Sequence, residues 1–426
     1  MHQPDDDDVH LLIGSNCPEV FIIEDQRIGQ PGEPIAQKYC FGWAVIGPAG
    51  KQRPQEEFSV NLQSEITNEQ LSTQLEKMWN TEFSDAPGSN KRALSVEDSI
   101  AVKIVDPSIK KENGRYYVKM PFKTRPQDIP NNRSVAEKRL RYLKNKLIRQ
   151  PHLQEGYIKT VEGYIKDGYA RKLTLEEVTQ EGKFGVWYIP HHAVTNPKKP
   201  GKVRVVFDCS AKFLGKSLND HVYTGPDIVN TLIGVLTRFR QEPVAIVADV
   251  EAMYLRAKVY PEDERFLRFL WFPGGNLDSE PVAYCMTVNV FGAGPSGYNA
   301  NAALRRCADD GINTCSKEVI KSVHKNFYVD DYLMSVSDTK TAIEFVKSIR
   351  RLLLAGGFRL HKWLSTNRDV LKTIPESERA GSIKEISADK ELPCDRALGI
   401  NWNVEDDAFV FDIDLTSKSA DNDVTR

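Results

Sequence analysis

The sequence predicts a mixed helix-and-strand protein of the α+β kind, on three observations. Apolar runs of strand length bounded by turn residues recur along the chain, as at 244–248 and 326–335. Helical periodicity lies between them, most clearly from 132 to 149, where Leu140, Leu143 and Leu147 share one face. No repeat of 20–50 residues is visible, so a solenoid is not expected.

Taken in order, residues 9–50 read as short strands ending in turns: Leu11 to Gly14, and Phe41 to Pro48. Residues 51–92 are polar and acidic, with one amphipathic stretch around Leu71, Leu75 and Met78, and 85–90 is a turn or linker. Ser95 with Asp98 three positions later resembles a helix N-cap before an apolar run. Residues 115–123 alternate like a strand. A helix follows from 132 to 149, and another is expected from about Thr339 to Leu354. His191 and His192 have no carboxylate or cysteine at ligand spacing and read as a strand position.

Composition narrows the function classes. With 426 residues, 40% hydrophobic and 27% charged, the chain is globular in type, with room for roughly two to three domains of about 100–200 residues each. No run approaches the roughly 18 apolar residues that a membrane span needs, and no membrane partner is expected. The N-terminus, Met1 to Pro4 followed by Asp5 to Asp8, lacks a basic-then-apolar signal. Seven cysteines, far apart and without a C-x-x-C pair, argue against a disulfide scaffold or a thiolate zinc site. A reducing, intracellular compartment is the expectation. The net charge of −2 conceals strong segregation: 1–100 carry 7 Lys/Arg against 17 Asp/Glu, whereas 101–150 carry 14 against 4. The basic block is either a polyanion-binding face or a solvated helix face complementing the acidic N-terminal block. On the 132–149 helix, Lys138, Arg141 and Lys144 are the candidates to track phosphates.

The chemistry concentrates in carboxylates. Val244-Ala245-Ile246-Val247-Ala248-Asp249 is an apolar strand ending in an acid, and Tyr328-Val329-Asp330-Asp331 sets two acids between apolar runs, as at a hairpin turn. Aspartates at strand ends repel one another unless a cation compensates them. Three of them could hold two Mg²⁺ ions, which prefer oxygen ligands, for in-line nucleotidyl transfer. The plain alternative is a turn, where Asp-Asp pairs are common.

In order and content, these motifs resemble the reverse transcriptases of long-terminal-repeat retrotransposons, most closely the BEL/Pao family, over residues 185–405 and more loosely back to about residue 9. The resemblance implies a polymerase palm-and-fingers fold, an antiparallel palm sheet backed by helices, with a β-rich N-terminal remnant. Tyr328 to Asp331 resembles catalytic motif C, and Asp249 to Tyr254 resembles motif A. Asp249, Asp330 and Asp331 would then bind two Mg²⁺ ions, with Mn²⁺ as the alternative. Tyr254 would exclude a 2′-hydroxyl beneath the sugar; the plain alternative is an ordinary core tyrosine. Lys202 to Asp208 resembles the hairpin that holds the triphosphate, with Arg204 as forked phosphate contact and Lys198, Lys199 or Lys202 as further cation. Phe291 to Ser296 resembles motif B, in which Gly292 lets backbone approach base and template. Phe291 stands where many retroviral enzymes carry Gln. Gly356 to Trp363 resembles motif D, with Lys362 as general acid for pyrophosphate. Leu398 to Trp402 resembles the primer grip, where Trp402 stacks on nucleic acid or packs internally.

The resemblance implies this division: 1–50, the last part of a retropepsin-like aspartic protease domain; 51–109, a linker or helical region; 110–243, fingers; 244–415, palm; 416–426, a tail. No Asp-Thr/Ser-Gly tripeptide occurs, so no peptidase activity is expected. The chain reads as a fragment of a larger Pol polyprotein. Expected partners are an RNA or DNA template with primer, dNTPs, and further Pol segments (RNase H, integrase) or a second chain. The expected location is the cytoplasm, in virus-like particles, or the nucleus. The alternative function is a catalytically silent nucleic-acid-binding remnant.

Overall fold

The computed structural model describes residues 22–28, 30, 35–40, 42–46, 94–196, 199–383, 392–398 and 400–410, with backbone alone at 196, 199–202, 396 and 397. The expected strand at 11–14, the stretch around Leu71, the turn at 85–90, Lys198, the Lys199 and Lys202 side chains, and the tail lie outside these residues. The chain forms two units, Met1–Asn90 and Lys91–Arg426. In the first, β1 (Asp25–Arg27), β2 (Ile35–Tyr39) and β3 (Gly42–Ile46) make an antiparallel meander. The Arg27 guanidinium lies 5.0 Å over the Trp43 ring.

The second unit opens with α1 (Val96–Val105), capped as the spacing predicts: Asp98 N–H donates to Ser95 Oγ at 3.0 Å. β4 (Lys110–Glu112) and β5 (Arg115–Val118) form a hairpin. The strand expected to reach 123 ends at Val118, and Pro121 beyond it has no N–H to donate to a ladder. α2 (Arg133–Arg149) buries Ala136, Leu140, Leu143 and Leu147, the stripe visible in the sequence. Pro151 at the first position of α3 (Pro151–Lys166) forces Gln150 out of helical geometry and separates the two helices. β6 (Ala170–Lys172) and α4 (Leu175–Thr179) lead to the antiparallel hairpin of β7 (His191–Asn196) and β8 (Lys199–Phe207).

Next come α5 (Leu232–Phe239), β9 (Val244–Val250), β10 (Lys258–Val259), β11 (Arg268–Trp271) and β12 (Val282–Met286). α6 (Ser296–Asp310), α7 (Lys317–Lys325), β13 (Phe327–Tyr328), β14 (Asp331–Val336), α8 (Thr339–Ala355) and β15 (Leu360–Ser365) follow. The described chain closes with α9 (Arg368–Lys372) and the meander of β16 (Cys394–Ala397), β17 (Ile400–Asn403) and β18 (Ala408–Val410).

The sheet that carries Asp249 and Asp331 is four-stranded and antiparallel, in the order β13-β14-β9-β15. β9 occupies an interior position and is buried along almost its whole length. That is why its sequence is a continuous apolar run rather than an alternation. α8 packs on β14, β9 and β15, and α5 on β14.

The mixed helix-and-sheet class with small, mostly antiparallel sheets therefore stands. The buried residues form two clusters that do not divide at one point of the chain. Val105, Ile109, Tyr116 and Val118 pack with the four-stranded sheet. Residues from Val259 to Ala293 join the cluster built on α2, α3 and β8. The packing thus crosses the linear boundaries expected at 110 and 244. Six cysteines, all but Cys17, lie among the described residues and are free thiols. No described helix is long and apolar enough to cross a membrane.

Candidate active site

Strand register assembles the site. Asp331, first residue of β14, pairs directly with Asp249 near the end of β9. Residues opposite one another on neighbouring strands project to the same face, with Cβ atoms about 4.5–5.5 Å apart. Asp330 is one residue back, in the two-residue turn closed by the Tyr328–Asp331 pair. Val329 there has φ +56°, which a β-branched residue rarely adopts. Val250 N–H donates to the Asp330 carbonyl at 2.8 Å and pins the turn against β9. The three aspartates thus stand together at one end of the sheet.

The other neighbour of β9 adds an imidazole and an ammonium. His361 on β15 pairs with Asp249, so Asp331, Asp249 and His361 form one row across three strands. Its Nε2 lies 2.9 Å from Asp249 Oδ1. A regular strand would send Lys362 to the opposite face. Instead the register shifts between His361 and Leu364, and Lys362 takes φ +53°. This bulge brings the Lys362 Nζ to 2.5 Å from Asp249 Oδ2. Lys362, expected as a general acid, is therefore ion-paired to Asp249.

The carboxyls separate electrostatically. Burial acts to raise the Asp249 carboxyl, but hydrogen bonds from His361 and Lys362 outweigh it and hold it below its ordinary value. Burial raises Asp330, and the charge of Asp249 adds to it. Asp331 is pushed up to about 6 by burial, then by Asp330 and Asp249. Neither Asp330 nor Asp331 has an ion-pair partner among the described residues. Mutually repelling oxygen donors without a direct ion-pair partner among the described residues fit a hard divalent cation chemically. Even so, no three His, Cys, Asp or Glu side chains among the described residues are gathered around one ion position. Both Asp249 oxygens are engaged, Oδ1 by His361 and Oδ2 by Lys362.

Tyr254 follows a left-handed Ala252 and begins no strand; it is half-buried in a short 3₁₀ turn. Burial raises its phenol, and the charge of Asp330 raises it further. Phe291 meets it edge-on with centroids 5.5 Å apart. Gly292 has φ +113°, and a Cβ there would come 2.5 Å from the Phe207 carbonyl. The close approach that requires glycine is thus to β8 of this same chain. Tyr328 is half-buried against the sheet core.

The remaining expected residues do not join this cluster. Arg204 is exposed on β8, and no hydrogen bond or ion pair among the described residues joins it to the aspartates. On α2, Lys138 and Arg141 are exposed, while Lys144 is partly covered and lies 5.5 Å over the Phe272 ring. Trp402 requires a correction as a nucleic-acid contact. It is fully buried, packs edge-on to Phe239 at 5.2 Å, and donates Nε1–H to Asp407 at 2.9 Å, leaving no ring face for a base. His191 is buried as a strand residue, between the Tyr157 hydroxyl and the Leu270 carbonyl, and burial lowers its imidazole to about 4. His361 was missed as a site residue, because its role depends on a pairing 112 positions away in the chain.

No family model and no curated protein matches the chain. Among the solved structures that align with it in part are two of foamy virus proteins. One is the crystal structure of prototype foamy virus protease–reverse transcriptase, a CSH mutant labelled with selenomethionine. It matches at 15% identity and a TM-score of 0.34, over 69% of this chain and 30% of that one. The other is the foamy viral protease–reverse transcriptase dRH in complex with double-stranded DNA. It matches at 15% identity and a TM-score of 0.36, over 66% of this chain and 45% of that one. This chain spans less than half the length of either.

Proposed function

We propose that the chain is the core of an RNA-directed DNA polymerase of the BEL/Pao kind, adding deoxynucleotides to a primer 3′-hydroxyl. One observation carries this reading: Asp331 pairs across from Asp249, with Asp330 in the adjoining turn. Asp249, Asp330 and Asp331 would hold two Mg²⁺ or Mn²⁺ ions, which when bound polarise the attacking hydroxyl and the leaving pyrophosphate. The chain's own residues position the reactants. The Tyr254 ring excludes a 2′-hydroxyl, and Lys362 supplies a proton at the leaving group. Arg204 and Lys202 on β8 bind the triphosphate. Lys138, Arg141 and Lys144 on α2 hold template or primer phosphates without reading sequence. The partners are a primed RNA or DNA template, dNTPs and further Pol segments or a second chain, in cytoplasmic particles or the nucleus.

A second reading, a catalytically silent nucleic-acid-binding remnant, is favoured by the engagement of both Asp249 oxygens by His361 and Lys362. Primer extension on poly(rA)/oligo(dT) with Mg²⁺ separates the two. Incorporation by this chain that disappears in Asp330→Asn supports the polymerase. Incorporation absent from both proteins, or equal in both, supports the silent remnant.

A further inference from the structure

We infer that His361 is a positioning residue that orients Asp249 for ion binding, and that its neighbour Lys362 occupies the place the ion takes. The inference rests on the reading of the three aspartates as ion ligands. A carboxylate that ligates a metal is commonly fixed by a hydrogen bond from a neighbouring side chain. Asp249 has two contacts of different character. His361 reaches Oδ1 from the paired position on β15, where sheet register fixes the backbone, and its side chain is 24% exposed. Lys362 reaches Oδ2 from a bulge on a long, flexible stem, and its side chain is 58% exposed.

Charge distinguishes the two further. The groups facing this end of the sheet are Asp249, Asp330 and Asp331 from β9 and the β13–β14 turn, and His361 and Lys362 from β15. The ammonium is the compact cation that offsets the charge of Asp330 and Asp331 as well as that of Asp249. A divalent ion at Asp249 Oδ2 would repel it at short range. A histidine N–H on Oδ1 can stay in place beside an ion on Oδ2. Two residues adjacent in sequence therefore act in opposite directions: His361 raises the affinity of Asp249 for the ion, and Lys362 lowers it.

The test is Mn²⁺ titration of the full chain without nucleic acid, read by electron paramagnetic resonance. His361→Ala should weaken Mn²⁺ binding about 10- to 100-fold. His361→Gln, which retains an N–H donor, should recover most of that loss, and Lys362→Ala should bind more tightly than the unaltered chain. Unaltered affinity in His361→Ala, or a Gln variant no better than Ala, would overturn the role of His361. Weaker binding in Lys362→Ala would overturn that of Lys362. Asp249→Asn separates this from the parent reading: it should abolish binding, and Mn²⁺ affinity untouched by that change would remove the ligand assignment itself.

Discussion

His361 stands directly across from Asp249 on the neighbouring strand, and its Nε2 lies 2.9 Å from the Asp249 Oδ1. With Asp331 on the other side of β9, the pairing draws an acid, an acid and a base into one row. Burial and these contacts together split the carboxyls. Asp249 is hydrogen-bonded by His361 and Lys362 and is held low, whereas Asp331 is raised to about 6 by burial first and then by the neighbouring acids.

Sugar selection should depend on Tyr254. Its ring is braced edge-on by Phe291, and the charge of Asp330 acts on its phenol. Tyr254→Val should increase ribonucleotide incorporation relative to deoxynucleotide by on the order of tenfold or more, equivalent to about 1.4 kcal/mol of lost discrimination. Competing rNTP and dNTP incorporation measures this, and unchanged selectivity would show that the ring lies away from the sugar.

Nucleic-acid binding should be weakened without change of sequence preference when Lys138, Arg141 and Lys144 are neutralised together. Each phosphate contact contributes about 0.9 to the slope of log affinity against log salt on duplex DNA. The triple variant should lose roughly two to three units of that slope. The half-covered Lys144 should contribute least, because its ammonium already rests on Phe272. An effect confined to one template sequence would exclude backbone contact.

Asp263 gives a pH dependence independent of the site. It is buried, and its Oδ2 accepts the Met120 N–H at 2.9 Å. Burial raises its carboxyl to about 6, with the charge of Glu262 adding to the rise. A carboxyl raised in the fold favours the protonated form, so its contribution is full below the ordinary value and lost as pH rises through about 6. Asp263→Asn keeps an acceptor and removes the buried charge. Urea unfolding should show a gain of about 1–3 kcal/mol at pH 8 that vanishes below pH 4. A pH-independent difference would contradict this.

Gly292 is required by the backbone rather than by a ligand. Gly292→Ala combines a left-handed φ with a Cβ 2.5 Å from the Phe207 carbonyl. It should destabilise the chain by about 1–3 kcal/mol and disturb the Phe291–Tyr254 contact. Thermal unfolding and the rNTP/dNTP ratio should shift together; a variant with unaltered melting would show that β8 yields easily.

Local patterns in the sequence carry much of this architecture. The Leu140–Leu143–Leu147 stripe, the Ser95 cap and the apolar run into Asp249 each depend on neighbours a few residues away, and each forms as expected. Pairing and burial are long-range and leave weaker traces. The contact between His361 and Asp249 needs two strands to align and a bulge to turn Lys362 inward. The complete burial of Trp402 depends on Phe239, more than 160 positions earlier. The shared packing of residues from Val259 to Ala293 with α2 and α3 likewise follows from the path of the chain between cores.

The most direct test of the account is single-turnover addition of one dTTP to a primed poly(rA) template with Mg²⁺. The intact chain would be compared with Asp249→Asn, Asp330→Asn and Asp331→Asn one at a time. Each substitution should slow addition by about a thousandfold, roughly 4 kcal/mol of transition-state stabilisation. Addition at the unaltered rate by any one of the three would contradict a shared centre built from these carboxylates.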